Sequence, residues 1–327
     1  MRAPEFWNSG HRVMPTLLSP LGFAYTGAGA LRRKLVRPWH AAVPVVCVGN
    51  LTAGGAGKTP TALALGEWLR ARRRAVHYIS RGYGGTVKRP TRVDPARHDA
   101  HAVGDEALLL AASAPTWVGR HRPSVARAAT GAGADIVVMD DGHQNPALHK
   151  DLSLVVVDAG CPLGNGHLIP AGPLREPPRT GLARADAVVV IDDPTGRTRG
   201  PGLAAVSGLP VLRARLIPGP ETAWLADSDV VAFAGIGRPS KFFDTLRASG
   251  CRLVAAHGFV DHHEFDPDEI MLMAEQANAA GARLVTTAKD AVRLPFGARA
   301  MVEVVTIKLE FERADALDHL LGPVIEQ

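Results

Sequence analysis

The chain reads as a doubly wound α/β protein, with a P-loop NTPase-like parallel sheet and a second, smaller α/β domain. Three observations predict this. Short Val-rich runs alternate with helical patterns along the whole sequence, as strands buried on both faces of a parallel sheet do. The first of these runs leads through a glycine-rich turn into a helix. A Gly- and Pro-rich stretch from about Thr195 to Pro220 then separates this set from a second alternating set. At roughly 100–200 residues per domain, 327 residues suit two domains.

The elements follow in order. "VPVVCVGN" (43–50) reads as a buried strand, "TPTALALGEWLRARR" (59–73) as a helix and "AVHYIS" (75–80) as a strand. "GDEALLLAASA" (104–114) is helical, and "ADIVVMDD" (134–141), "LSLVVVDA" (152–159) and "ADAVVVIDD" (185–193) are further strands. "PVLRARLI" adds one more. The second set runs "DVVAFAGIG", a helix over "PSKFFDTLRAS", "CRLVAAHGF", a helix over "PDEIMLMAEQANAA", then "ARLVTT" and "VEVVTIKLEF" as strands. The expected division is an N-terminal segment over 1–40, a P-loop domain over 41–220 and a smaller α/β domain over 221–327.

Composition narrows the function classes. Hydrophobic residues make up 46% and charged residues 21%, which excludes a disordered or fibrous chain. A net charge of +5 suits an anionic partner. No nucleic-acid module signature occurs, and "RARRR" (70–74) is adequately read as cations closing a helix. Cys47, Cys161 and Cys251 lack metal-ligand or redox spacing. "MPTLLSPLGFAYTGAGAL" (14–31) is apolar, but Pro15, Pro20 and the glycines suit neither a secretory leader nor a spanning helix. Arg32, Arg33, Lys34 and Arg37 follow it. Such a segment either lies on an anionic membrane face or packs on the domain with a solvated charged end.

The glycine-rich turn carries the chemistry. "GGAGKT" (54–59) stands after a strand and before a helix, the context of a Walker A loop. Backbone N–H groups of Thr52, Ala53, Gly54, Gly55, Ala56 and Gly57 would surround phosphates at a helix N-terminus. Lys58 would reach the β- and γ-phosphates, and Thr59 would ligate Mg²⁺. Thr52 stands where the full pattern has glycine. Ala53 stands where partitioning ATPases of the ParA type carry a second lysine, which counts against that group. "IVVMDDGHQ" (136–144) sets Asp140 and Asp141 at the carboxyl edge of the sheet, as Mg²⁺ ligands, direct or through water, or as a turn pair. Asp105 and Glu106 open a helix, where carboxylates commonly cap. Asp261, His262 and His263 follow a strand of the second set. That pair of histidines has three possible roles: metal ligation, helix capping or proton transfer. No third ligand nearby supports the first.

These residues fall into an ordered series: "GNLTAGGAGKTP", "SRGYGG", "VGDEALLLA", "MDDGHQ", "GNGHLIPAGPLREP", "FAGIGRPSKFF", "DHHEF" and "TTAKDAVRL". The series resembles the tetraacyldisaccharide 4'-kinase family from about Trp7 to beyond Leu294. The resemblance implies transfer of the γ-phosphate of ATP, with Mg²⁺, to the 4'-hydroxyl of tetraacyldisaccharide 1-phosphate, giving lipid IVA. It implies a peripheral enzyme on the cytoplasmic face of a bacterial inner membrane, with the site between two α/β domains. By the same resemblance Thr52 to Thr59 form the ATP loop. Asp105 is the carboxylate that activates the sugar hydroxyl, His262 orients it, and Asp140 and Asp141 lie near Mg²⁺. Glu106, Arg122, His143, Gln144, Arg175 and Glu176 line the cleft. The sequence departs from the common pattern at Ala288, where Glu is usual, and at His143, where an aromatic or aliphatic residue is frequent. Rival readings are an assembly-powering ATPase, a nucleotide-regulated membrane module and a kinase for a small cytosolic acceptor. Missing signature lysine and cysteine ligands count against the first, the second has no use for an Asp–His pair, and the third leaves the apolar N-terminal stretch unexplained.

Overall fold

The computed structural model describes residues 4–7, 13–193 and 208–326; the first half of the Gly- and Pro-rich stretch expected from Thr195 to Pro220 lies outside them. The chain opens with helix α1 (Val13–Leu35), then β1 (Val45–Gly49), α2 (Lys58–Ala71), β2 (Val76–Ser80) and β3 (Thr91–Arg92). Two short helices, α3 (Ala100–Val103) and α4 (Asp105–Ala111), flank Gly104, so the helix expected over 104–114 is shorter. Next come β4 (Thr116–Val118), α5 (Arg122–Gly131), β5 (Ile136–Asp140), β6 (Leu152–Asp158), α6 (Pro178–Leu182), β7 (Ala187–Ile191) and β8 (Val211–Pro218). The smaller lobe contributes β9 (Asp229–Ala234), α7 (Pro239–Ala248), β10 (Arg252–Gly258), α8 (Pro267–Ala279), β11 (Arg283–Thr287), α9 (Ala288–Ala291) and β12 (Glu303–Val305). The chain ends in β13 (Ile307–Phe311) and α10 (Ala314–Ile325).

The large sheet has the order β13-β8-β7-β6-β1-β5-β2-β4-β3. Its inner strands run parallel, and β3 and β13 pair antiparallel at the two edges. Strands β1, β2, β5 and β6 are buried throughout, as their unbroken apolar runs predict. The strand order turns back on itself at β1, between β5 and β6. In open α/β sheets ligands bind at such a reversal, beyond the carboxyl ends of the strands.

The second sheet is parallel, in the order β10-β9-β11-β12. Here the expected last strand, "VEVVTIKLEF", is divided at Thr306. Glu303–Val305 stays in the small sheet, whereas Ile307–Phe311 returns to pair with β8. Helix α10 then buries Leu317, Leu321 and Val324 against Leu65 and Leu69 of α2. The smaller lobe is therefore inserted between β8 and β13, and the last residues of the expected 221–327 domain belong to the large one. The reason is local: in "IKLEF" Leu309 is buried while Lys308 and Glu310 face out, the alternation of an edge strand. Both crossings between lobes lie side by side, since the Gly219 N–H donates to the Thr306 carbonyl at 2.9 Å.

Helix α1 forms despite Pro20. Its seat is made by Pro15 and Gly22, the latter so close to Leu168 that an added Cβ would lie 3.0 Å from the Leu168 Cβ. Val13, Leu17, Leu21, Leu31 and Leu35 project outward and are exposed. Among the described residues no helix is long and apolar enough to cross a membrane.

Candidate active site

The phosphate loop leaves β1 and enters α2 at Lys58. Gly54 and Gly57 both have left-handed backbone, with φ of 110° and 88°. A Cβ at Gly57 would also meet the Ile191 Cδ1 at 2.3 Å, so the Ile191 side chain would have to shift. The loop is braced from behind: the Ala53 N–H donates to the Pro173 carbonyl, and Thr52 bridges to Leu174. Gly237 of the small lobe comes so near that a Cβ there would lie 2.9 Å from the Gly55 nitrogen.

Lys58 and Thr59 are both buried at the start of α2. The Thr59 hydroxyl donates to Asp140 Oδ2 at 2.9 Å, and the Lys58 Nζ lies 3.9 Å from Asp141 Oδ2. Asp140 ends β5 fully buried, with Oδ1 lacking a hydrogen-bond partner among the described residues. Burial above all, with Glu106 and Asp141 adding to it, pushes the Asp140 carboxyl up to about 7. Asp141 behaves oppositely. Burial would raise it, but Lys58 and Arg175 hold it well below the usual carboxylate range. Arg175 grips it with two bonds, at 2.6 and 3.1 Å. A buried, unpartnered carboxylate oxygen beside a threonine hydroxyl fits Mg²⁺, which takes few protein ligands and completes its shell with phosphate and water. Among the described residues no group of three or more acidic, His or Cys side chains forms a protein cage for a metal.

The other half of the site is built across the lobes. Asp105 opens α4, and His262 lies in the turn after β10 with a left-handed φ of 61°. The His262 Nδ1 is 2.9 Å from Asp105 Oδ2. Gly104 allows this approach, since a Cβ there would lie 2.5 Å from the Tyr83 carbonyl oxygen. Asp105 is 3% exposed. Burial pushes its carboxyl up, but the adjacent His262 imidazole, Lys289 and Arg293 outweigh burial and leave it below its ordinary value.

The remaining predicted residues divide into two groups. Glu106, Arg122, Gln144 and Arg175 line the cleft. Arg122 is buried and donates to the Gly119 carbonyl, and its Nε has no partner among the described residues; burial brings its guanidinium down to about 10. His143 and Glu176 are not brought to the cleft wall. His143 is tied at 2.9 Å to both the Ser153 hydroxyl and the Gly181 carbonyl, and burial pulls its imidazole down to about 4. Glu176 is held by Arg184 just beyond α6 and Arg33 from α1, and accepts from Gln144. Both support the wall from behind.

Sequence reasoning missed the small-lobe cations. Lys289 and Arg293 flank Asp105, and Arg238 and Lys241 pair with Asp158 at 2.8 and 2.9 Å. Lys289 lies on α9 and Arg293 just past its end, and their carboxylate partners Asp105, Glu106 and Asp261 lie far away in sequence. The cleft that holds all these groups has a volume of about 2230 Å³. That exceeds the roughly 300–1,000 Å³ of a site for one drug-sized ligand.

A strand, phosphate loop and helix facing an acidic strand end, with a carboxylate–imidazole pair closing the same cleft, define a P-loop phosphotransferase. The model of the tetraacyldisaccharide-1-P 4'-kinase family, LpxK, matches residues 14–326. The chain is 52% identical to the tetraacyldisaccharide 4'-kinase of Rhodospirillum rubrum, over 99% of this chain and 98% of that one. It is 53% identical to that of Paramagnetospirillum magneticum, over 99% of each. The chain belongs to this kinase family. The fold agrees: LpxK from Aquifex aeolicus, solved in complex with ATP, superposes with a TM-score of 0.74 at 24% identity, covering 96% of this chain and 100% of that one.

Proposed function

We propose that the chain transfers the γ-phosphate of ATP to the 4'-hydroxyl of a tetraacyldisaccharide 1-phosphate, giving lipid IVA for lipid A synthesis. One observation carries the reading: Asp105 and His262 come from different lobes and stand 2.9 Å apart in the cleft that also holds the phosphate loop. An alcohol nucleophile needs a proton acceptor within hydrogen-bond reach, and an ATPase switch does not need this pair.

The step is a displacement at phosphorus. The 4'-oxygen bonds to the γ-phosphorus while the bond to the β–γ bridging oxygen breaks and ADP leaves with that electron pair. Asp105 takes the hydroxyl proton. His262 orients the carboxylate and keeps it ionised. Lys58 and the loop N–H groups stabilise charge on the phosphates. Thr59 and Asp140 would hold Mg²⁺, with Asp141 beside them, and the ion neutralises phosphate charge when bound. Gly237 of the small lobe stands beside Gly55 of the loop, and closing the lobes further over the loop would exclude water and favour transfer over hydrolysis.

The acceptor's acyl chains stay in a bilayer, and α1 is suited to meet them. Its exposed leucines form one apolar stripe, and Arg32, Lys34 and Arg37 are exposed at its end. The helix lies in the interface of an anionic leaflet, at the cytoplasmic face of the inner membrane.

The test is purified protein with Mg-ATP and the disaccharide 1-phosphate in detergent, followed by mass analysis. The expected product carries one added phosphate, and ADP release depends on acceptor. ADP release at the same rate without acceptor, and no phosphorylated lipid, would return the chain to the ATPase reading.

A further inference from the structure

We propose that Lys289 is a positioning residue for the transfer, its ammonium serving as the shared counter-ion that lets carboxylates of both lobes converge on His262. The proposal rests on the reaction assigned above.

The Lys289 Nζ lies 3.9 Å from Asp105 Oδ2, 3.7 Å from Glu106 Oε1 and 3.3 Å from Asp261 Oδ1. Asp105 and Glu106 belong to the large lobe, and Asp261 and Lys289 to the small one. Among the described residues these three carboxylates are the ammonium's partners. Burial alone would lower the Lys289 pKa, but Glu106, Asp105 and Asp261 more than offset that and keep it charged.

Arg293 also approaches Asp105, at 3.6 Å. Its guanidinium is already committed, donating to the Gly235 and His263 carbonyls at 2.9 Å and pairing with Asp290. Arg293 therefore shapes the small-lobe turns, and Lys289 is the cation free to follow the carboxylates. The groups facing Asp105 are His262 and Asp261 from the turn after β10, Lys289 and Arg293 from α9 and its exit, and Glu106 from α4. Without Lys289, closure of the lobes would press Asp261 toward Asp105 and Glu106 with too little positive charge between them. The lobes would close less often, and Asp105 would hold its proton to higher pH.

The test uses the full chain with Lys289→Met and Lys289→Arg, each compared with the parent under the transfer assay. Lys289→Met is expected to lower kcat by on the order of tenfold to a hundredfold, less than the roughly hundredfold to ten-thousandfold of a full general-base contribution, because Lys289 acts through Asp105. ATP affinity and melting temperature should stay near those of the parent, because no nucleotide-loop contact is lost. The acid limb of the kcat profile should move to higher pH. Lys289→Arg should recover most of kcat and return the acid limb toward the parent's. An unchanged kcat in Lys289→Met would overturn the proposal. So would equal losses in both variants with an unmoved acid limb, or a loss that tracks melting temperature and ATP affinity. A parent that transfers no phosphate to the lipid defeats the assigned reaction itself, whatever the variants do.

Discussion

The nucleotide half and the acceptor half of this site are built differently. Lys58, Thr59, Asp140 and Asp141 all come from the large sheet, at the carboxyl ends of β1 and β5, and they are already linked to one another. Asp105 reaches its partner only because a turn of the inserted lobe brings His262 to within 2.9 Å. On the proposed roles, the phosphate loop is complete in one lobe and the proton acceptor needs both, so ATP would be held before the acceptor arrives and the step that consumes it would wait for closure.

Removing a charge from the nucleotide half should have the largest effect. Lys58→Ala is expected to cost on the order of 3 kcal/mol or more of transition-state stabilisation, roughly a hundredfold or more in kcat. The Asp105–His262 contact should survive, because Lys58 touches neither residue. Steady-state kinetics check the first point, and undiminished turnover would remove the loop from the mechanism.

A smaller effect is expected outside both halves, on α1. Arg33 is engaged with Glu176 behind the cleft wall, so a clean test changes Arg32, Lys34 and Arg37 to Gln. Each basic residue near an anionic surface contributes about 1 kcal/mol. Sedimentation with anionic vesicles should fall and lose salt sensitivity, while ATP affinity holds. Equal binding by variant and parent at low salt would make α1 a packing helix.

The two halves also differed in how legible they were. The phosphate loop and the Asp140–Asp141 strand end were readable because each is a local pattern, a buried run followed by a fixed set of residues. The parallel sheets were readable for the same reason. The return of "IKLEF" to the large sheet was not, since β12 and β13 are separated by Thr306 alone and nothing local states which sheet each joins. His143 and Glu176 looked like wall residues because they neighbour Gln144 and Arg175 in sequence. Their side chains point the other way, to Ser153 and Gly181 and to Arg184. From the residues alone Asp105 read as a cap and His262 as one of three options; the family resemblance joined them. Lys289 passed unnoticed because its meaning lies in carboxylates more than 20 residues away.

The most direct test of the account is a double-mutant cycle on kcat with Asp105→Asn, His262→Ala and the two combined. If the pair forms one unit completed by closure, each single change cuts turnover sharply while ATP binding survives. The double variant is then far less damaged than the product of the two losses, because residues acting together are non-additive. Losses that multiply in full would mean that Asp105 and His262 act separately, and that assembling the pair across the lobes is not what enables transfer.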